Sequence, residues 1–212
     1  MRTEDRKNAL IQKAYELFIT QGYEETSVDM VINACHIAKW TFYYHFKCKD
    51  DLFEAVVNMI LDHALNRLSL IMDLDMPADQ KLLFAVTSLN MLDQEKGMEE
   101  QFHKPDNARL HARINERLIE ESIPAFVTLL EQARKEGIVH CSRWFEQRIR
   151  MSLILALELF PHPNPDPDDI AAYIDLLEKI FETEPGRLQF VSSLIRQEAQ
   201  RKEQSNEQNR TA

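Results

Sequence analysis

The 212-residue sequence contains only four glycines, three cysteines and no long uninterrupted run of apolar residues. Segments in which β-branched and polar residues alternate are scarce, which disfavours a β-sheet and indicates an all-helical fold. An odd number of cysteines without CxxC spacing argues against a disulfide framework and fits a reducing compartment. No apolar run approaches the roughly 18 residues of a membrane span, and the N-terminus lacks the apolar core of a secretory signal. We therefore expect a cytoplasmic protein.

Signatures of catalysis and of metal binding are also missing. The sequence has no Gly-rich phosphate loop, no HExxH pair and no spacing typical of a nucleophile and its base. Two cysteines and two histidines lie between residues 35 and 48, but their spacing matches no common structural zinc site. We expect no enzymatic activity, no cofactor and no metal, which leaves a binding function.

The net charge of −10 is unevenly distributed. Residues 1–53 hold seven basic and eight acidic side chains, so nearly all of the negative charge lies downstream. Residues 30–49 contain Lys39, Lys47 and Lys49 and no acidic residue. Because salt screens charges beyond about 8 Å, a local basic patch of this kind is enough for contacts with phosphate groups on an acidic protein.

Hydrophobic periodicity predicts four helices in the first 70 residues. They span about residues 4–20, a short segment that Thr26 or Ser27 caps, the run "AKWTFYYHF", and a longer segment capped by Asp50 or Asp51. Gly22 supplies a left-handed end to the first helix. Phe42 and Phe46 lie four residues apart, on one face of the third helix, and we expect them in the core.

Four further helices are predicted downstream. They run from Pro77 to about Asp93, from Ala108 to Gly137 with a kink at Pro124, over residues 143–160 and over residues 168–182. The segment "MSLILALELF", residues 151–160, is apolar on more than one side and therefore needs a partner. The polar tail over residues 201–212 is expected to be disordered.

The run "GYEETSVDMVINACHIAKWTFYYHFKCKDDLFEAV" resembles the N-terminal DNA-binding domain of the TetR family of bacterial transcriptional regulators. The resemblance rests on "TFYYHF", on Lys49 and on the acidic-Leu-Phe sequence in register, and it covers roughly residues 5–55. It implies an all-α protein with a three-helix helix-turn-helix domain over residues 1–50. A larger helical ligand-binding and dimerisation domain would then cover residues 51–200.

The function that this resemblance implies is that of a ligand-responsive, sequence-specific transcriptional regulator. Such a protein is most often a repressor and binds a palindromic operator in double-stranded DNA as a homodimer. The segments 143–160 and 168–182 would pair with their copies in a four-helix interface between the two subunits.

The resemblance and the residue chemistry together assign the DNA contacts. Lys39, Trp40 and Thr41 occupy the part of the recognition helix that faces base edges, where lysine donates to guanine and the threonine methyl contacts thymine. The other candidates match family positions that contact the DNA backbone or flank the groove: Ser27, Tyr43, Tyr44, His45 and Lys49.

The resemblance also implies an unknown small-molecule effector, bound among the middle helices. The apolar, aromatic and histidine side chains placed there are Met59, Phe84, Met91, Phe102, His103 and Phe126. Because no basic cluster accompanies them, a neutral or cationic apolar molecule is favoured over a phosphorylated one.

Two residues depart from the family pattern. His36 stands in the turn where glycine is common, and Trp40 stands where a small residue is usual. Histidine tolerates a positive φ better than most residues, so we expect the turn to persist, but the indole makes the operator sequence unpredictable. A second hypothesis therefore stays open, in which the chain is an all-helical binding or adaptor protein whose N-terminal domain no longer binds DNA.

Overall fold

The structure is a computed structural model that describes residues 3–89, 107–159 and 166–192. All regular secondary structure within these ranges is helical. The helices are α1 (Thr3–Gln21), α2 (Val28–Ala34), α3 (Lys39–His45), α4 (Lys49–Met72), α5 (Ala78–Leu89), α6 (Ala108–Lys135), α7 (Phe145–Leu159) and α8 (Pro167–Ile180). The predicted all-α fold class is confirmed.

The chain divides into two compact units. The N-terminal unit combines Met1–Ala64 with Met91–Leu118, and the C-terminal unit combines Leu65–Asn90 with Ile119–Ala212. This division differs from the sequence-based boundary at residue 50, because the first part of α4 belongs to the N-terminal unit and buries Leu52, Phe53 and Val56. A functional boundary at residue 50 stays a prediction.

Aromatic packing organises the N-terminal unit. Phe18 of α1 packs edge to face on Tyr23, with 5.2 Å between ring centroids, and Tyr23 packs on Phe53 of α4 at 4.6 Å. The chain reaches Tyr23 through Gly22, whose φ of 93° ends α1 in the left-handed region. These contacts hold α1 against the start of α4, while α2 packs on α1 and α3 on α2.

The start of α4 differs from the sequence prediction. The helix begins at Lys49, so Asp50 and Asp51 lie inside its first turn and neither is its N-cap. Both carboxylates interact favourably with the helix dipole there. Asp51 accepts a hydrogen bond from the backbone N–H of Lys47 at 2.9 Å, which fixes the connection from α3, and Asp50 accepts one from the hydroxyl of Tyr23.

The C-terminal unit has one apolar core built from α5 to α8 and the end of α4. Leu129 and Ala133 of α6, Ile149 of α7 and Ile174 of α8 are among its buried members. α6 continues through Pro124 to its end at Lys135, although proline removes one backbone hydrogen bond from the helix. Amphipathic packing against this core therefore outweighs the helix-breaking tendency of one residue.

Polar contacts fix α7 against α8. The guanidinium of Arg148 donates to the carbonyl of Ile180 at the end of α8 and to the carboxylate of Glu182, which complements the negative end of the helix dipole. The buried carboxylate of Glu178 accepts hydrogen bonds from the backbone N–H groups of Gly186 at 3.0 Å and Leu188 at 2.9 Å. The two late helices thus form a defined pair within one subunit.

The late helices begin and end within two residues of the sequence predictions. The predicted end of the fifth helix near Asp93 and the predicted disordered tail over residues 201–212 lie outside the described residues. None of the described helices is long and apolar enough to cross a membrane.

Candidate nucleic-acid interface

The entry to α2 is fixed by two hydroxyl side chains. Ser27 is the N-cap, with extended backbone angles, and its Oγ accepts a hydrogen bond from the backbone N–H of Met30 at 3.2 Å. Thr26 is buried and donates to the carbonyl of Gly22 at 2.7 Å. Ser27 is exposed, so the predicted phosphate-contacting hydroxyl lies on the surface while it caps the helix.

The turn between α2 and α3 keeps a left-handed residue. His36 has a φ of 52°, in the region that favours glycine. The backbone N–H of His36 donates to the carbonyl of Asn33 at 3.1 Å, and that of Ile37 donates to Ile32 at 3.2 Å. The predicted persistence of the turn is therefore confirmed, with histidine in the position where the family commonly has glycine.

The outer face of α3 is aromatic. Trp40 is 67% exposed, Tyr44 is 69% exposed and Tyr43 is 49% exposed. Large aromatic side chains usually bury most of their surface in a core or an interface. Three of them on the outer face of one seven-residue helix therefore mark this face as a contact surface.

The inner face of α3 anchors the helix. Phe42 and Phe46 are 0% and 5% exposed, which confirms their predicted place in the core. Thr41 is 5% exposed and lies on the same inner side. Little of the Thr41 side chain is exposed, and its contact with a thymine methyl stays a prediction.

Lys39, the first residue of α3, is paired across the turn. Its Nζ donates to Oδ1 of Asp29, in the first turn of α2, at 3.1 Å. The hydrogen bond and then the negative charge of Asp29 raise the pKa of Lys39 above its ordinary value of 10.5. The predicted base-contacting lysine and Asp29 thus place an ammonium group and a carboxylate side by side.

Lys49, at the start of α4, is held by the backbone of the segment after α1. Its Nζ donates to the carbonyl of Tyr23 at 2.8 Å and to that of Glu24 at 3.3 Å, and it lies 4.1 Å from the centroid of the Tyr23 ring. An ammonium group has three donors. Two are used by carbonyls within the described part of the chain, which leaves the third for an outside acceptor such as a phosphate oxygen.

Lys47 and His45 complete the surface after α3. The side chain of Lys47 is exposed and forms no ion pair with the part of the chain that the structure describes. Lys47 belongs to the basic patch predicted from the sequence but is not among the assigned DNA contacts, although its charge within residues 30–49 was the signal that could have added it. The ring of His45 is half-buried, with 4.9 Å between its centroid and that of Tyr44.

A ladder of arginines, which sequence analysis missed, joins the start of α6 to α4 within the N-terminal unit. Each arginine contacts the α4 residue 59 positions earlier: Arg109 contacts Asp50 at 3.2 Å, Arg113 contacts Glu54 at 3.1 Å, and Arg117 contacts Asn58. Both series advance by four residues, about one helical turn. The two helices therefore run in the same direction here, with their polar side chains in register.

Arg109 also closes a polar and aromatic cluster beside α1. Its guanidinium lies 4.6 Å from the ring centroid of Tyr23 and 5.3 Å from that of Phe53, and it donates to Glu24 at 3.4 Å. The hydrogen bond from Tyr23, and then the charge of Arg109, hold the pKa of Asp50 below its ordinary value of 3.8. The start of α6 is thus bonded directly to the helices that carry the candidate interface.

The predicted effector-pocket residues are placed only in part. Met91, Phe102 and His103 lie outside the described residues. Met59 is half-buried in the N-terminal unit. In the C-terminal unit Phe84 is 43% exposed, whereas Phe126 is 6% exposed and packs in the apolar core. A pocket role for these residues stays a prediction.

The chain resembles known regulators most strongly in its N-terminal domain. Residues 10–56 match the family model described as "Bacterial regulatory proteins, tetR family". The HTH-type transcriptional regulator TcmR of Streptomyces glaucescens is 41% identical over 51 residues, which are 24% of this chain and 21% of that protein. The uncharacterized HTH-type transcriptional regulator YhgD of Bacillus subtilis is 28% identical over 85 residues, 39% of this chain and 44% of that protein.

Similarity over the whole chain is structural. The solved structure of the TetR family protein CprB from S. coelicolor A3(2) superposes with a TM-score of 0.61 at 17% identity, covering 92% of this chain and 98% of that one. At such low identity the likeness shows the fold alone. By sequence, the chain spans less than half the length of the curated relatives it matches. Residues 10–56 are therefore similar in sequence to the N-terminal domain of the tetR family of bacterial regulatory proteins, and the chain as a whole is similar in fold to a TetR family protein.

Proposed function

We propose that the protein is a ligand-responsive transcriptional repressor that binds a palindromic operator in double-stranded DNA as a homodimer. The observation that carries the proposal is the two-sided recognition helix α3. Phe42 is fully buried behind it, whereas Trp40 and Tyr44 are about two-thirds exposed in front. Such a repressor acts on genomic DNA in the cytoplasm.

The chemistry of this surface suits a DNA groove. A helix of this size enters the major groove, where side chains at its N-terminal end meet base edges and flanking groups meet phosphates. Lys39 and Trp40 are at the N-terminal end of α3, and Lys47 and Lys49 follow it. The tyrosine hydroxyls beyond them supply further donors for the DNA backbone.

Dimerisation through α7 and α8 is supported by their exposed apolar residues. Met151 and Ile154 of α7 are 58% and 46% exposed, and Leu176 of α8 is 40% exposed. A two-fold axis would bury these residues against their copies and would place two recognition helices on successive half-sites. Leu155 packs partly against the core of its own unit, so Ile154 is the better position at which to test the interface.

Coupling to a small-molecule effector is supported by the arginine ladder. The start of α6 is bonded to α4 through Arg113 and Glu54 and to the segment after α1 through Arg109 and Glu24. A ligand that shifts α6 would therefore also displace the helices that position α3. A neutral or cationic apolar effector is favoured, because the candidate pocket residues include no basic cluster.

Fluorescence anisotropy tests the DNA-binding part of the proposal. A labelled duplex from upstream of the protein's own gene is titrated beside a scrambled duplex of equal length at the same salt concentration. A specific regulator prefers the first by about a thousandfold or more. Equal, weak binding to both duplexes would instead support the adaptor hypothesis. A transcription assay on the bound promoter then tests repression, which predicts fewer transcripts when the protein is added.

A further inference from the structure

The ion pair between Lys39 and Asp29 is too exposed to contribute much to the stability of the fold. The two side chains belong to different helices, and their charged atoms lie 3.1 Å apart with 63% and 69% of the side chains exposed. An ion pair as exposed as this contributes little to stability. It lies on the outer side of the domain, directly before Trp40 on α3, so its effect is expected at the DNA.

An ammonium group and a carboxylate held side by side match the edge of one kind of base pair. In the major groove, guanine offers two acceptors, O6 and N7, and its cytosine partner offers the N4 amino donor. Lysine donates to the guanine acceptors, and aspartate accepts from the cytosine amino group. An A·T pair also offers two acceptors and one amino donor, but adenine N6 lies between adenine N7 and thymine O4. The ammonium group then reaches only one acceptor beside the donor, so an A·T pair satisfies the two side chains less well.

We propose that Lys39 and Asp29 together select a G·C base pair in each half-site, with Lys39 on guanine and Asp29 on cytosine. This inference rests on the proposed function, because it requires α3 to lie in the major groove. Asp29 then has two effects on specificity. It positions the ammonium group, and it places a negative charge near the DNA backbone, which lowers affinity for every sequence that offers it no amino donor.

A purely structural role for Asp29 makes a different prediction. An acidic residue in the first turn of α2 interacts favourably with the helix dipole, so Asp29→Ala would lower stability slightly through that interaction alone. Such a change would reduce binding to all sequences equally. Loss of preference at one base pair, together with tighter binding to random DNA, is expected only if the carboxylate faces the bases.

Selection from a duplex pool with randomised half-sites provides the test. The wild type, Asp29→Ala, Asp29→Asn and Lys39→Ala are each used at one salt concentration, and their folding is checked by thermal unfolding. We expect the wild type to enrich G·C at one position of each half-site. Asp29→Ala should lose about tenfold of the discrimination at that position and keep the others, whereas Asp29→Asn, whose amide oxygen can still accept from cytosine N4, should lose less. Both variants should bind random duplex more tightly, because both remove the negative charge. Lys39→Ala should lose the same preference and bind random duplex more weakly.

Asp62→Ala is the matched control, because it removes the same charge from an exposed position. Asp62 lies on α4, about 20 Å along the helix from Lys49, so its variant should select the wild-type motif. If the Asp29 variants select the wild-type motif with its G·C preference unchanged, or if A·T is enriched at the position that depends on Lys39, this inference is overturned while the proposed function stands. If the wild type itself enriches no motif, the proposed function fails, and this inference fails with it.

Discussion

Lys47 offers the sharpest test of which surface meets the phosphates. Its backbone is fixed by the hydrogen bond from its N–H to Asp51, whereas its side chain is exposed. Lys49, by contrast, has two of its three donors bound to backbone carbonyls. We therefore expect Lys47→Ala to remove a phosphate contact without disturbing the fold, whereas Lys49→Ala should also destabilise the N-terminal unit.

The size of the effect follows from counterion release. Each phosphate contact contributes about −0.9 to the slope of log Kobs against log salt concentration, and a dimer carries two copies of each lysine. Lys47→Ala should therefore make the slope shallower by about 1.8 units. Between about 50 and 200 mM salt, the ratio of wild-type to variant affinity should then change by about 12-fold.

Anisotropy titrations at four or five salt concentrations, on operator and on random duplex, measure this slope. Lys135→Ala is the control, because Lys135 is also an exposed lysine but lies in the C-terminal unit. The change in slope should be the same on both duplexes, since phosphate contacts carry no sequence information. An unaltered slope in Lys47→Ala would show that this lysine does not reach the DNA and would refute the orientation of α3 argued above.

Three further predictions test other parts of the molecule. Trp40→Gly should change the selected operator sequence without abolishing binding, and an unchanged motif would place the indole off the DNA. Ile154→Asp should give a monomer in analytical ultracentrifugation and weaken operator binding by at least about tenfold, and a variant that stays dimeric would place the interface elsewhere. Tyr23→Phe should lower the midpoint of thermal unfolding at pH 7. The folded-state pKa of Asp50 is lowered, so its stabilising contribution is present above pH 3.8 and is lost as the pH falls below that value. The difference in unfolding midpoint between wild type and Tyr23→Phe should therefore shrink as the pH falls below 3.8.

The elements that the sequence predicted well are those that local pattern determines. α1 was predicted over residues 4–20 and spans Thr3–Gln21, because its apolar stripe and the glycine after it lie within the same segment. The four-residue spacing of Phe42 and Phe46 likewise predicted which face of α3 is buried and which is exposed. Both signals need only neighbouring residues, and a single sequence contains them in full.

The features that sequence analysis missed depend on distant partners. Arg113 looks like an ordinary surface residue of an amphipathic helix until α4 brings Glu54 to it from 59 positions away. The burial of Thr41 could not be predicted either, because it depends on how α3 packs in the folded unit. Local spacing predicts which helices form, but the pairing of their polar faces is a property of the assembled unit.

His36 and Trp40, the two departures from the family pattern, line the same groove of about 420 Å³ in the N-terminal unit. The φ of 52° at His36 means that the turn keeps the conformation for which glycine is usual, so this substitution leaves the position of α3 intact. Trp40 points to solvent with 67% of its surface exposed, so the indole changes what α3 can contact without entering the core. A DNA function lost through misfolding would require damage to the turn or to the packing of the helix, and neither residue causes it. The two departures therefore favour an operator of unusual sequence over a domain that no longer binds DNA.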